Sequence, residues 1–169
     1  MANHLKDGYS SHVFKFISKF YKDLNLDNSI LDVGCGHYRN LKLFHETGFE
    51  KLYGLDKNIY EDYLDLKVNF KQCNIENGIP FDDKSFDIVL CNFVLMFIEP
   101  MKQKFVVDEL IRVTKRFLII ETNQLKKSTK NTFYKEYSFE DIVNWIDETQ
   151  EFELLQVRKY KEKLIAKRR

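Results

Sequence analysis

Ile30-Leu31-Asp32-Val33-Gly34-Cys35-Gly36-His37-Tyr38-Arg39 is the stretch that decides how this chain is read. Its first four residues form an apolar run of strand length, stopped by Gly34. Two glycines flanking one residue let the backbone take positive φ and let a ligand approach the main chain closely. From Arg39 a helical pattern runs to Thr47, with Leu41, Phe44 and His45 on one side and Gly48 as its stop. A helix that starts there leaves free N–H groups at its first turn. Leu52-Tyr53-Gly54-Leu55 is the next strand. It ends in Asp56, 20 residues after Gly36, where a carboxylate accepts both hydroxyls of a ribose. Alone, Asp56 reads equally as a helix cap or a solvated loop residue; its spacing from the glycine turn favours the ribose. The dinucleotide fingerprint G-x-G-x-x-G needs a third glycine at position 39, where Arg39 stands. This argues against a pyrophosphate on the turn, and so against a nicotinamide or flavin enzyme.

The same alternation continues in both directions. Toward the start, Ser10 or Ser11 caps a helix whose stripe is Val13, Phe14, Ile17, Phe20, Tyr21 and Leu24. Toward the end, residues 59–66 read as a short helix, Val68 to Cys73 as a strand and Phe86 to Cys91 as a stronger one. Pro100 opens a helix to about Thr114, and Phe117-Leu118-Ile119-Ile120 is a fully apolar strand. Ser138-x-x-Asp141 starts a helix with Phe139, Ile142, Val143 and Ile146 on one face. Phe152 to Lys167 reads as two antiparallel strands turning near Tyr160 to Glu162. Short apolar strands separated by helices predict an α/β fold: a mostly parallel sheet with helices on both faces and an antiparallel C-terminal hairpin. Such sheets hold ligands outside the carboxyl ends of their strands. At the third strand end Asn74 is placed to pair with an exocyclic amine and Ile75 to pack on a flat base, though each also reads as a turn cap and a core residue. At the fourth, Asn92 is the polar exception among apolar neighbours.

Composition narrows the class. The chain has 169 residues, 44% hydrophobic and 31% charged, with a net charge of +1. That is a globular composition, neither disordered nor collagen-like, and not that of a polyanion binder. The reading is one domain, residues 1–169, with no run long enough for a membrane span and no signal-peptide core in MANHLKDGYSS. Cys35, Cys73 and Cys91 are an odd set without metal-type spacing, which predicts free thiols and a cytoplasmic location, and no Cys/His cluster suggests zinc. Residues 123–169 carry 11 basic and 8 acidic groups, a mild positive excess.

Taken together, ILDVGCG, LYGLD, CNIENGIPFDDKSFDIVLCNFVLMFIEP and RFLIIET resemble the class I S-adenosylmethionine-dependent methyltransferases, over roughly Ser29 to Glu121. The resemblance implies a Rossmann-like seven-stranded sheet with S-adenosyl-L-methionine as cofactor. It implies that Asp32, Gly34, Cys35 and Gly36 lie under the methionine and ribose. Asp56, with Lys57 beside it, holds the ribose hydroxyls. Asn74 stands near the adenine amine, where the family usually has Asp, with Ile75 on the ring. Cys91 and Asn92 line the methionine end, and residues 1–28 supply an N-terminal helix over the site. The family often has a third glycine where this chain has Tyr38, and many relatives carry Glu-His where it has Met96-Phe97.

In such a reaction the cofactor supplies the reactive methyl and its own leaving group. The protein orients the acceptor and excludes water, and a general base is needed only if the acceptor is still protonated at transfer. His12, His37, Tyr9 and Tyr134 are the candidates, none of them assigned. The segment after the fourth strand, Cys91-Asn92-Phe93-Val94, lacks the paired prolines of amino-methylating DNA enzymes, and no Pro-Cys pair serves cytosine C5 methylation. Duplex DNA is therefore not an expected partner, nor, with no apolar run of membrane-spanning length, is a membrane. The expected acceptor is a small molecule, with RNA and protein left open. The rival reading is a non-catalytic module of the same fold. Thr122 to Tyr137, with Lys126, Lys127, Lys130, Lys135, Tyr134 and Tyr137, is expected to form part of the acceptor wall.

Overall fold

The computed structural model describes residues 8–60, 66–123 and 135–169. In chain order the elements are α1 (Ser11–Phe20), β1 (Ile30–Val33), α2 (Arg39–Glu46), β2 (Leu52–Asp56), β3 (Asn69–Gln72), β4 (Phe86–Asn92), α3 (Pro100–Val113), β5 (Thr114–Glu121), α4 (Phe139–Glu148), β6 (Phe152–Arg158) and β7 (Lys163–Arg168). Seven strands form one sheet in the order β3-β2-β1-β4-β5-β7-β6. β1 to β5 run parallel, with Asp32 opposite both Gly54 of β2 and Leu90 of β4. β7 lies antiparallel between β5 and β6. The order reverses between β1 and β4, so the crevice for a ligand opens at their carboxyl ends.

Alternation along the buried strands sorts the core into two layers. Leu31, Val33, Val89, Cys91, Leu118 and Ile120 face one way and pack with Val106, Val107, Leu110, Ile142, Val143 and Ile146 of α3 and α4. Ile30, Ile88, Leu90, Phe117 and Ile119 face the other way, with Val13, Phe16 and Ile17 of α1 and Leu41, Leu43 and Phe44 of α2. Helices therefore cover both faces, as the apolar strands require.

Within the described residues the expected elements form, with instructive shifts. Ser10 caps α1, its side chain accepting from the N–H of His12 and Val13. The buried side of α1 is His12, Val13, Phe16 and Ile17, while Phe14 and Tyr21 of the expected stripe are each 46% exposed. Phe16 meets Phe117 edge-on at 5.1 Å, and this contact sets the rotation of the helix. In α2 Leu43 is buried and His45 is exposed. β5 begins at Thr114, directly where α3 ends. Most of the expected 59–66 helix and most of the Thr122–Tyr137 segment, with Lys126, Lys127, Lys130 and Tyr134, fall outside the described residues.

Candidate active site

A cavity of about 530 Å³ opens at the carboxyl ends of the central strands. Of the residues singled out from sequence, Asp32, Gly34, Cys35, Gly36, Asp56, Lys57, Asn74, Ile75 and Asn92 line it. Cys91 does not: it is fully buried in the core layer that α3 and α4 cover, because it precedes the cavity-facing Asn92 on a strand that alternates faces.

The glycine turn is held by β2. The N–H groups of Gly34 and Cys35 both donate to the carbonyl of Leu55, at 2.7 and 2.9 Å. Gly34 has φ +74, and a Cβ there would lie 2.3 Å from Val94 Cγ2. Gly36 has φ +49, and a Cβ there would meet nothing within 4 Å; it is bare backbone on the cavity wall. Its N–H donates to Asp56 Oδ2 at 3.0 Å, and the N–H of Asn58 donates to Oδ1 at 2.9 Å. Both carboxylate oxygens are thus oriented from one side, with lone pairs left over for hydroxyl donors.

Asp32 stands in the opposite environment. It is 2% exposed, and burial pushes its carboxyl up to about 7, with Asp56 adding to the rise while Arg39 and the Asn40 amide oppose it. Burial, with Asp32 and Asp56 nearby, also drives the Cys35 thiol well up, so Cys35 is an uncharged wall residue rather than a nucleophile. Tyr38 occupies the left-handed region at φ 57, as a glycine would, but its ring turns out of the cavity onto Phe70, 6.0 Å away. Asn74 Oδ1 accepts from the N–H of Glu76 and caps a 3₁₀ turn that begins at Ile75. Ile75 is 6% exposed and serves both the core and the cavity wall. Met96 is buried in the core, whereas Phe97 reaches the cavity.

Of the base candidates, His37 lines the cavity with its ring against Tyr60, centroids 4.4 Å apart. His12 is buried away from the lining, Nε2 lying 3.1 Å from the Leu164 carbonyl, and burial holds its pKa down. Tyr9 is 48% exposed and stacks on Phe14. Sequence reasoning missed Asn40, Phe93 and Glu121. Asn40 and Phe93 line the cavity. Glu121, at the end of β5, is 4% exposed and accepts from Asn92 Nδ2 at 3.1 Å. The signal for Glu121 was present, a single carboxylate ending a fully apolar strand. Among the described residues, no group of three His, Cys, Asp or Glu is placed to hold a metal, and no helix is long and apolar enough to cross a membrane.

A glycine turn is thus hydrogen-bonded to an aspartate at the next strand end, in an α/β domain with the strand order β3-β2-β1-β4-β5-β7-β6. Residues 31–117 match the methyltransferase domain family, and the chain belongs to that family, within the S-adenosylmethionine-dependent class I methyltransferases. An uncharacterized protein of Methanocaldococcus jannaschii is 26% identical over 139 residues, 77% of this chain and 55% of the relative; the chain thus spans about half the length of that curated relative. Magnesium protoporphyrin IX methyltransferase from Synechocystis PCC 6803, solved with bound SAH, superposes with a TM-score of 0.67 at 17% identity, covering 93% of this chain and 82% of that one. The 1,6-didemethyltoxoflavin-N1-methyltransferase of Burkholderia thailandensis, solved with bound 1,6-didemethyltoxoflavin and S-adenosylhomocysteine, gives a TM-score of 0.68 at 13% identity, covering 94% of this chain and 78% of that one.

Proposed function

We propose that this chain transfers the methyl group of S-adenosylmethionine to a small-molecule acceptor in the cytoplasm. The observation that carries the reading is the Asp56 carboxylate, tied to the bare Gly36 N–H on the cavity wall. The residues fit the cofactor. Asp56 would take the ribose hydroxyls, and Gly34, Cys35 and Gly36 would form the floor under ribose and methionine. Asp32 supplies a carboxylate for the α-ammonium. Ile75 offers an apolar face to the adenine, with Asn74 and Lys57 at its rim. Asn92 stands at the methionine end. When bound, the cofactor supplies an electrophilic methyl and a neutral thioether leaving group. The protein's part is orientation and exclusion of water, which Phe93, Phe97 and Ile98 serve as apolar wall.

Residues 1–169 act as one domain in this reading, with the N-terminal helix anchored beside the site through Ser10. The backbone N–H of Ser10 donates to Asn40 Oδ1 at 3.0 Å, and its hydroxyl donates to Glu121. The free state of Cys35, Cys73 and Cys91 supports a reducing compartment. A cavity of about 530 Å³ supports a small acceptor, as does the chemistry named for the two solved relatives. The test is calorimetry with S-adenosylmethionine and S-adenosylhomocysteine, followed by assay of S-adenosylhomocysteine release over a panel of small amines, phenols and carboxylic acids. Micromolar binding with turnover on a panel member is expected. Binding without turnover on any acceptor class, RNA and protein included, favours a non-catalytic module, and no binding refutes the reading.

A further inference from the structure

Asn92 is 8% exposed and ends β4 on the cavity wall. Its Nδ2 donates to Glu121 Oε2 at 3.1 Å. Its Oδ1 is buried and finds no hydrogen-bond partner among the described residues. Buried carbonyl oxygens are normally paired, so this exception asks for a cause.

The cause of its orientation lies in Glu121. Ser10 Oγ accepts from the N–H groups of His12 and Val13, so its own proton is free and goes to Glu121 Oε2. Lys163 Nζ sits 2.6 Å from Oε1. An ammonium and a hydroxyl both point their protons at Glu121, whose two oxygens therefore act as acceptors. Asn92 must therefore give Glu121 its NH₂ end. Its carbonyl oxygen is the polar atom left for whatever enters the cavity at β4, and that partner has to be a donor. The donor is not best supplied by the cofactor's ammonium, because Asp32, a buried carboxylate on the adjacent strand, is the stronger partner for a cation.

We propose that Asn92 Oδ1 receives an N–H or O–H of the methyl acceptor, and that Glu121 is the positioning residue that fixes this polarity. The inference rests on the methyl-transfer reading and narrows the acceptor to amines, amides and hydroxyl compounds. In the step, the acceptor's lone pair forms the new bond to the methyl carbon. The carbon–sulfur bond breaks with its electron pair passing to sulfur. The proton on the acceptor leaves to water, since an amide oxygen orients but does not deprotonate.

Sinefungin, which carries an amine on the carbon that replaces the methylated sulfur, is the probe. S-adenosylhomocysteine has the same α-ammonium but no donor at that place. Calorimetry with both ligands on the wild-type chain, Asn92→Leu, Asn92→Thr and Glu121→Gln isolates the contact. Asn92→Thr keeps a donor for Glu121, and it serves if the leucine variant folds poorly. The sinefungin-to-homocysteine affinity ratio should fall about 10-fold or more in both Asn92 variants, with any loss of S-adenosylhomocysteine affinity at this cavity-lining position being the smaller of the two. Glu121→Gln should lower the ratio to an intermediate value, which a merely structural loss would not do. An unchanged ratio in the Asn92 variants overturns the proposal, as does an equal loss for both ligands, which would place the contact on the cofactor's own ammonium. An unchanged ratio in Glu121→Gln removes the positioning role. Failure of the wild-type chain to bind either ligand is the distinct failure of the methyl-transfer reading.

Discussion

Two carboxylates stand at the ends of neighbouring strands, and their surroundings give them different work. Asp56 is half-buried with two backbone N–H donors. In the role we propose it receives ribose hydroxyls, and a hydrogen bond to a carboxylate contributes about 1.5–3 kcal/mol. Asp56→Ala should weaken S-adenosylhomocysteine binding about 10- to 150-fold while the circular dichroism spectrum stays that of the wild type; wild-type affinity in the folded variant would remove the ribose role. Asp32 is buried, and its carboxyl is pushed up to about 7, burial being the largest cause. An unfolded aspartate titrates near 4. The folded chain therefore holds a proton that the unfolded chain has lost, and this group's contribution to stability declines as pH climbs from about 4 to about 7 and is level above. A cationic ligand beside Asp32 favours the ionised form. The affinity for S-adenosylhomocysteine should accordingly strengthen from pH 6 to pH 8. Asp32→Asn should flatten that profile and raise the melting temperature at pH 8. A wild-type profile with no slope across that window would show that Asp32 does not face the ligand's charge.

Within the strand–turn–helix element the two glycines serve different ends. Gly34 is structural: its φ is positive, and an added methyl would run into Val94, a branched side chain with little rotameric freedom. Gly34→Ala should lower unfolding stability by about 1–3 kcal/mol in urea titration. Gly36 has open space where its Cβ would be, so Gly36→Val should cost little stability beyond its backbone strain and lose ligand affinity by at least about 10-fold. If Gly36→Val binds normally, the turn is scaffold only. This element was legible in sequence because the strand, the turn and the aspartate that the turn hydrogen-bonds are local and their spacing is rigid. The rotation of α1 was less so. Residues 13, 16, 17 and 20 and residues 14, 17, 21 and 24 both form apolar stripes at helical spacing, and the choice is made by Phe117 and by the docking of Ser10, both remote in the chain. The same applies to Glu121 and Ser10, 111 positions apart: no periodicity joins them, so the network that orients Asn92 was invisible until the strands were assembled.

Across the whole molecule the sheet separates binding from stability. The cavity occupies the carboxyl ends of the parallel strands, while the opposite ends are tied by arginines. Arg112 donates to the carbonyls of Phe81 and Ile79 and pairs with Glu109 and Asp83. Arg168, on β7, donates from Nε to the Thr114 carbonyl at 3.0 Å and from Nη2 to the Ile111 carbonyl at 2.7 Å, and lies over the Phe152 ring at 4.5 Å. It therefore binds the end of α3 and the start of β5 to the inserted antiparallel strand. The mostly parallel sheet with its antiparallel C-terminal hairpin followed from short apolar strands spaced by helices. This clamp did not, because one arginine in a basic C-terminal tract reads as surface charge until β7 is seen to enter between β5 and β6. Lysine cannot make both carbonyl contacts and stack at once, since it lacks the planar fork. Arg168→Lys should lower stability by about 1–3 kcal/mol, and affinity for S-adenosylhomocysteine at a temperature where the variant is fully folded should stay within about twofold. A large loss of affinity without a change in melting temperature would mean that the amino ends of the strands shape the cavity, which the separation of the two clusters argues against.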